Sequence, residues 1–284
     1  MFGAFARDVW TFASAAYDMT EPFLKWAGGK RWLANSGQLP LPTSFDRYIE
    51  PFLGGGAIFF HLAPTSAILS DVNAELIHLY TVLRDSPREL MELMLHHHGK
   101  HSSTHYYDIR ARVPDGEIER AARTMYLNRT CWNGLYRVNL KGAFNVPIGT
   151  KSTVVFENDN FEEISRRLQS AEIVCRDFEP TVGQAGPGDF VFVDPPYTVR
   201  HNLNGFIKYN ETLFSWDDQI RLRDAIAAAI VRGAAVVVTN ADHESVRELY
   251  EDICEYRSVK RASVLASESV RRGHTTEALF SANV

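Results

Sequence analysis

An α/β fold built on a mostly parallel sheet, with a helical segment inserted into it, is what this 284-residue sequence predicts. Three observations carry that prediction. First, five short β-branched runs read as buried strands: DRYIEPF around Tyr48, SAILSDV to Asp71, AEIVCRDF to Asp177, DFVFVDPP to Asp194 and AAVVVTNA to Asn240. Second, SWDDQIRLRDAIAAAIVRG lies between the last two. Ser215 can cap it, acids fill its first turn, apolar residues recur at helical spacing and Gly233 follows its end. Strand, helix, strand is the unit of a parallel sheet. Third, the middle of the chain changes character. NAELIHLYTVLRD, SPRELMELMLHHHG and GEIERAARTMYLNRT have helical periodicity, and CWNGLYRVNLKGAFNVPIGTKST then mixes Gly, Asn, aromatic and basic residues. The expected division is an α/β domain made of residues 1–73 and 162–284, with residues 74–161 inserted as a mainly helical domain ending in an exposed loop.

Composition bounds the class. Hydrophobic residues make up 45% of the chain and charged residues 23%, the balance of a soluble globular protein. No apolar run approaches the roughly 20 residues that span a bilayer. The start carries Asp8 and no basic leader, so a cytoplasmic location is expected. Cys131, Cys175 and Cys254 are far apart and form no CxxC pair, which supports neither a zinc knuckle nor a disulfide framework. Adjacent His96, His97 and His98 point in different directions on a helix and make a poor site for one ion, so no metal is expected. Net charge is −5, yet residues 100–151 hold nine Lys/Arg against four Asp/Glu, and residues 256–272 hold five against one. A basic middle and a basic stretch near the C-terminus thus sit on an acidic remainder.

The strand ends carry the chemistry. Ligands of open α/β sheets bind outside the carboxyl ends of the strands, so the carboxylates there are candidates for one site. In YIEPFLGGGAIFF a strand ends at Glu50, and Gly54, Gly55 and Gly56 turn into a helix, letting backbone approach a ligand closely. The dinucleotide fingerprint fails because its third glycine would fall at Phe59. A P-loop fails because Gly29-Lys30 would need glycine at Leu24 and Ser/Thr at Arg31. Asp71 ends the next strand, where an acid commonly grips ribose hydroxyls. An adenosine-containing ligand without a pyrophosphate fits, and S-adenosylmethionine is one. In DPPY, Asp194 brings an anionic acceptor to the sheet edge, and Pro195 and Pro196 stiffen the turn and leave carbonyls free to accept. Tyr197 offers a flat face. Asp194 and the Pro195 carbonyl can hold an exocyclic amine while Tyr197 stacks on its ring, preorganising the nitrogen lone pair for direct displacement at a methyl donor.

PFLKWAGGKRWL, YIEPFLGGGAIFFHL, SDVNAELIHLY, LNRTCWNGLYRVNLKGAFNVPIG and VFVDPPY occur in this order. Together they resemble the DNA adenine methylase (Dam) family, N6-adenine-specific DNA methyltransferases of the alpha group, from about residue 22 to the C-terminus. The resemblance implies a Rossmann-like S-adenosylmethionine-dependent methyltransferase sheet with an inserted helical target-recognition domain. It implies that Trp26 and Lys30 help bind S-adenosylmethionine, that Glu50, Pro51, Phe52, Gly54 and Gly55 line its methionine portion, that Asp71 holds the ribose and that Asp177 and Phe178 flank its adenine. Asp194, Pro195, Pro196 and Tyr197 would hold the target adenine, with Asp194 also beside the methyl donor. S-adenosylhomocysteine would be the coproduct. The partner implied is double-stranded DNA, and GATC is the first expectation for its target. The Thr150-Lys151-Ser152 run departs from the residues usual after the VPxG turn and puts that target in question. A monomer is favoured, and a cognate restriction endonuclease is left open as a partner.

Chemistry on N6 of adenine requires the base to leave the stack, after which the protein fills the hole and grips phosphates. Within the insertion, Arg137 can read a guanine edge and Asn133 can hydrogen-bond a base. Arg129, Lys141 and Lys151 are expected on phosphates. Asn139 and Pro147, in the same loop, join the expected DNA contacts, and Arg271 and Arg272 are expected on the backbone. The alternative is an RNA base methyltransferase, which leaves NRTCWNGLYRVN and the insertion unexplained. A DNA-binding module without catalysis would not need Asp71, Asp194, Tyr197 and the glycine turn.

Overall fold

The computed structural model describes residues 21–134, 136–139, 142–200, 214–262 and 274–284. Strands β1 (Arg47–Glu50), β2 (Ala67–Asp71), β3 (Ala171–Cys175), β4 (Asp189–Val193), β5 (Ala235–Ala241), β6 (Glu255–Ala262) and β7 (His274–Ala282) form one sheet in the order β3-β2-β1-β4-β5-β7-β6. Its first five members in that order are parallel, while β7 runs antiparallel to both β5 and β6. All five strands expected from the sequence are present. Strand β6 had no expectation: Glu255, Tyr256 and Arg257 are exposed at the sheet edge, so no apolar run marks it. Chain order reverses on either side of β1 and β4, where α/β sheets open a crevice for ligands.

Alternation along the strands divides the core. Tyr48, Leu69, Phe190, Phe192, Val237 and Leu279 face one apolar cluster. Ile49, Ile68, Val191, Val193, Val236, Val238 and Phe280 face another, as the period of two requires for a sheet covered on both sides. The second face is covered by α8 (Phe178–Val182), α9 (Trp216–Val231) and α10 (Glu244–Tyr250), through Val182, Leu222, Ile226, Val246 and Tyr250. Helix α9 starts in a full capping box: Ser215 Oγ accepts from the Asp218 amide at 3.1 Å, and Asp218 accepts from the Ser215 amide at 2.9 Å. Gly233, at φ 96°, ends the turn that follows.

On the side of the first face lie α1 (Arg31–Ala34), α2 (Ala57–Leu62), α3 (Ala74–Asp85), α4 (Pro87–Lys100), α5 (Ser103–Ala111), α6 (Glu117–Thr130) and α7 (Phe161–Leu168), with α4, α5 and α6 packed on other helices. Helix α3 is capped by Asn73, whose side chain accepts from the Leu76 amide at 3.2 Å. Its apolar face meets β2 and β3 on one side and α6 on the other. One continuous apolar cluster therefore runs from Tyr48 and Phe190 on the sheet to Leu90, Met94, Tyr106 and Tyr126 in α4, α5 and α6. The three adjacent histidines diverge on α4, with His97 buried and His96 and His98 exposed.

Helix α6 is buried from residue 121 to residue 130, polar side chains included. Arg129 is the largest of the fully buried side chains. Its guanidinium pairs with Asp159, Nη1–Oδ2 2.5 Å and Nη2–Oδ1 2.8 Å, and donates to the carbonyls of Val154 and Phe23. The expected phosphate contact at Arg129 is therefore corrected. This side chain ties Val154 and Asp159 to Phe23 and presents no donor at the surface. Asn128, one residue earlier, clasps Lys25 in both directions, accepting from its amide at 3.1 Å and donating to its carbonyl at 2.7 Å.

Candidate active site

The carboxyl ends of β1, β2, β4 and β5 bring Glu50, Asp71, Asp194 and Thr239 to one edge of the sheet. Asp194 follows β4 directly, and its Oδ1 accepts from Thr239 Oγ1 at 2.7 Å and meets Lys30 Nζ at 2.8 Å. Lys30 is 3% exposed and also donates to the Gly28 carbonyl at 2.7 Å. Its ammonium stands 5.0 Å from the centre of the Tyr197 ring. Pro195 is buried and Pro196 half-buried, and Gln219 Nε2 reaches the Pro196 carbonyl at 3.5 Å. The Tyr197 hydroxyl donates to Glu277 Oε2 at 2.9 Å. Burial holds that phenol well above its ordinary pKa, with the charges of Asp194 and Glu277 adding to the effect, so it stays a donor. Sequence reading missed Thr239 and Glu277. The one available signal was at Thr239, a polar residue after the apolar run AVVV; Glu277, in HTTEALFSA, carried none.

The glycine turn lies beside this group. Asp71 accepts from the Gly54 amide at 3.1 Å and the Asn73 amide at 2.9 Å, fixing the turn to the end of β2. Tyr80 donates to the Gly54 carbonyl at 3.2 Å. Gly54 is at φ 47°, and a Cβ there would come within 2.8 Å of Trp26 Cδ1, so bare backbone lets the indole lie on the turn. Glu50 is 3% exposed and accepts from the Tyr48 hydroxyl at 3.0 Å. Burial pushes its carboxyl well above the usual range, and the nearby Asp194 carboxylate pushes the same way. Burial also raises Asp71. Pro51 is buried, and Phe52 stacks on Phe178 with centroids 5.5 Å apart. Phe214 closes edge-on against both rings. Phe178 is thus packed inside an aromatic cluster. Asp177 caps α8 through the Glu179 amide at 2.9 Å and pairs with Arg221 at 2.8 Å, nearer solvent than the other acids of this edge.

Residues expected to meet DNA cluster in the loop after α6. Asn133 is exposed at φ 57° and Gly134 follows at φ 66°. A Cβ on Gly134 would lie 2.7 Å from Lys25 Cδ, so the lysine stem runs directly under the turn. Burial, then the neighbouring Lys151, lowers the Lys25 amine to about 8. Trp26 stacks on Tyr136, centroids 5.6 Å apart and planes 21° apart. Arg137 is exposed, with Nε 3.4 Å from Asn145 Oδ1. Asn139 closes a hairpin by accepting the Gly142 amide at its carbonyl, 2.8 Å, and the Ala143 amide at its side chain, 3.0 Å. Pro147 is exposed and its carbonyl accepts from the Trp132 amide at 2.9 Å. Lys151 is exposed. Lys141, Arg271 and Arg272 lie outside the described residues. Trp132 is 51% exposed beside Asn133 and carried no expectation from sequence, although an aromatic residue before Asn-Gly is a visible signal.

Sheet order and strand-end acids together define a Rossmann-like α/β protein with a candidate site at the carboxyl edge of its sheet. Comparison with known proteins narrows the class. The chain belongs to the D12 class N6 adenine-specific DNA methyltransferases, whose family model matches residues 26–265. It is 40% identical over 265 residues to the Type II methyltransferase M1.LlaDCHI of Lactococcus lactis subsp. cremoris, covering 90% of this chain and 93% of that one. It is 35% identical over 243 residues to the Type II methyltransferase M.MjaIII of Methanocaldococcus jannaschii, covering 78% and 84%. It is 32% identical over 264 residues to a DNA adenine methylase of Serratia marcescens, covering 90% and 96%. The protein is an adenine-specific DNA methyltransferase acting at N6.

Proposed function

We propose that this enzyme methylates a flipped-out adenine within one short target sequence in double-stranded DNA, with GATC the first candidate, and that the group around Asp194 holds the amine. The observation carrying this reading is the anchoring of Asp194 Oδ1 by Lys30 and Thr239, both within 2.8 Å. With one oxygen fixed, the other is aimed and available to accept an N6 hydrogen. The Pro195 carbonyl takes the second hydrogen, and the Tyr197 face not covered by Lys30 stacks on the base. Acceptance of both hydrogens directs the nitrogen lone pair along one line of attack. The developing positive charge on N6 faces a carboxylate already in place, and the amine proton departs along that hydrogen bond.

The residues fit S-adenosylmethionine, which supplies an electrophilic methyl on a sulfonium. Bare backbone at Gly54 and Gly55, the indole of Trp26 and the acids Glu50 and Asp71 suit a cationic, adenosine-bearing ligand. Glu50, Pro51 and Phe52 face its methionine end, Asp71 its ribose, and Asp177 with Phe178 the side of its adenine. Lys30, turned toward Asp194, serves the catalytic acid as well as the cofactor. Residues 74–161 act as the recognition unit. Arg137 reads a base edge, Asn133 and the exposed Trp132 occupy the space the adenine leaves, and Lys25, Lys151, Lys141, Arg271 and Arg272 neutralise phosphates. Asn139 and Pro147 shape the loop that contacts the groove. The protein works as a monomer in the cytoplasm, and the Type II names of two relatives favour a setting with a cognate restriction endonuclease.

Sequencing DNA from a methylation-free host expressing the chain tests this reading. One methylated motif, absent with Asp194→Ala, is the expected result. Methylation retained by Asp194→Ala overturns the assignment of the acceptor.

A further inference from the structure

Glu277 belongs to no motif that the sequence marks, yet it touches Tyr197, the ring proposed to stack on the base, and Lys30, the partner of Asp194. It sits on β7, opposite Ala241 of β5 and Val259 of β6, and is 4% exposed. Its Oε2 accepts the Tyr197 hydroxyl at 2.9 Å and lies 3.6 Å from Lys30 Nζ. Its Oε1 meets Arg261 Nη1 at 2.5 Å. Lys30 in turn holds Asp194 at 2.8 Å. Two cations and two anions therefore alternate through the interior: Arg261, Glu277, Lys30, Asp194. A buried carboxylate is costly unless its partners are fixed, and an interior strand position would otherwise favour an apolar side chain.

We infer that Glu277 is a positioning residue for methyl transfer, fixing the Tyr197 ring through its hydroxyl and sharing the charge of Lys30 so that Asp194 stays a strong acceptor. This rests on the reading of Asp194 and Tyr197 given above. Without Glu277, the Lys30 charge falls on Asp194 alone and draws electron density from the oxygen that meets the amine. The Tyr197 hydroxyl also loses this acceptor, and the ring is held at that end by Thr239 with one fixed carboxylate fewer. Both effects grow as N6 becomes cationic, so they act on the chemical step more than on cofactor binding.

Single-turnover methylation of a target duplex by the full chain, with thermal unfolding and S-adenosylmethionine affinity measured in parallel, tests this. Glu277→Ala is expected to slow transfer by roughly 10²-fold, the scale of a small misplacement of reacting groups, with cofactor Kd within about threefold. Glu277→Gln, nearly isosteric, keeps an acceptor for Tyr197 and loses the charge, so an intermediate loss of about tenfold is expected. Combined with Tyr197→Phe, Glu277→Ala should cost less than the product of the single losses, because the two share one interaction. Rates of both Glu277 variants within threefold of the parent, per folded molecule, overturn the inference. If Asp194→Asn and Tyr197→Phe also keep the parent rate, the amine-holding reading falls as well. If those two lose activity while the Glu277 variants do not, only the role of Glu277 falls.

Discussion

Glu50, proposed to face the methionine end of the cofactor, is a buried side chain that costs stability. Its carboxyl is raised well above the ordinary range, burial first and the Asp194 charge next. A carboxylate whose folded pKa exceeds its unfolded one contributes stability fully below the unfolded value, about 4.3, and loses it as pH rises through the folded value. Glu50→Gln removes that loss. Its Tm should exceed the parent's at pH 8 by about 3 °C for each kcal/mol recovered, the difference should close toward pH 4, and S-adenosylmethionine should bind more weakly. Arg129 gives the opposite result. Arg129→Ala leaves Asp159 buried without its partner, a loss of about 3–5 kcal/mol, measured as a lower urea midpoint. From sequence, Arg129 looked like any cation in a basic run. Its partner lies thirty residues away, and only the fold brings Asp159 to it.

Among elements, the parallel strands were legible because runs such as VFV and VVV are buried on both faces and leave continuous apolar signatures. Helix α9 was legible from its cap. Ser215→Ala should cost about 1 kcal/mol, seen in thermal unfolding without a change in DNA affinity. The site was legible where a motif coincides with a strand end, at Glu50, Asp71 and Asp194. It was not legible at Thr239 and Glu277, whose partners come from β4 and from the chain before α1, nor at Asp177 and Phe178 in detail, whose surroundings depend on Arg221 and Phe214. The turn at Asn133 rests on Lys25, lowered to about 8 by burial and by Lys151. An amine with a depressed pKa loses its charge earlier as pH rises, so DNA affinity should weaken between pH 7 and 9. Lys151→Ala removes the repelling neighbour, and the midpoint of that loss should move upward in a fluorescence-anisotropy titration.

At the scale of the whole molecule, a chain of net charge −5 acts on a polyanion, and its basic middle is the contact proposed above. Binding should therefore be local and strongly salt-dependent. A plot of log affinity against log salt should be steep, and Lys151→Ala should reduce its slope by about 1 if it removes one phosphate contact. Titrations at several salt concentrations give that slope directly.

Residues 25–30 touch the loop proposed to read DNA, the glycine turn and Asp194. Lys25 lies under Gly134, Trp26 lies on Gly54 and stacks on Tyr136, and Lys30 holds Asp194. Such a strap makes the proposed reading loop and the proposed chemical centre parts of one fitted assembly. A recognition loop transplanted from another methyltransferase has to present a flat ring to Trp26 and a residue without a side chain to Lys25. A graft that ignores this fit should bind its new sequence and leave it unmodified, so engineered target specificity begins with the strap as well as with the loop.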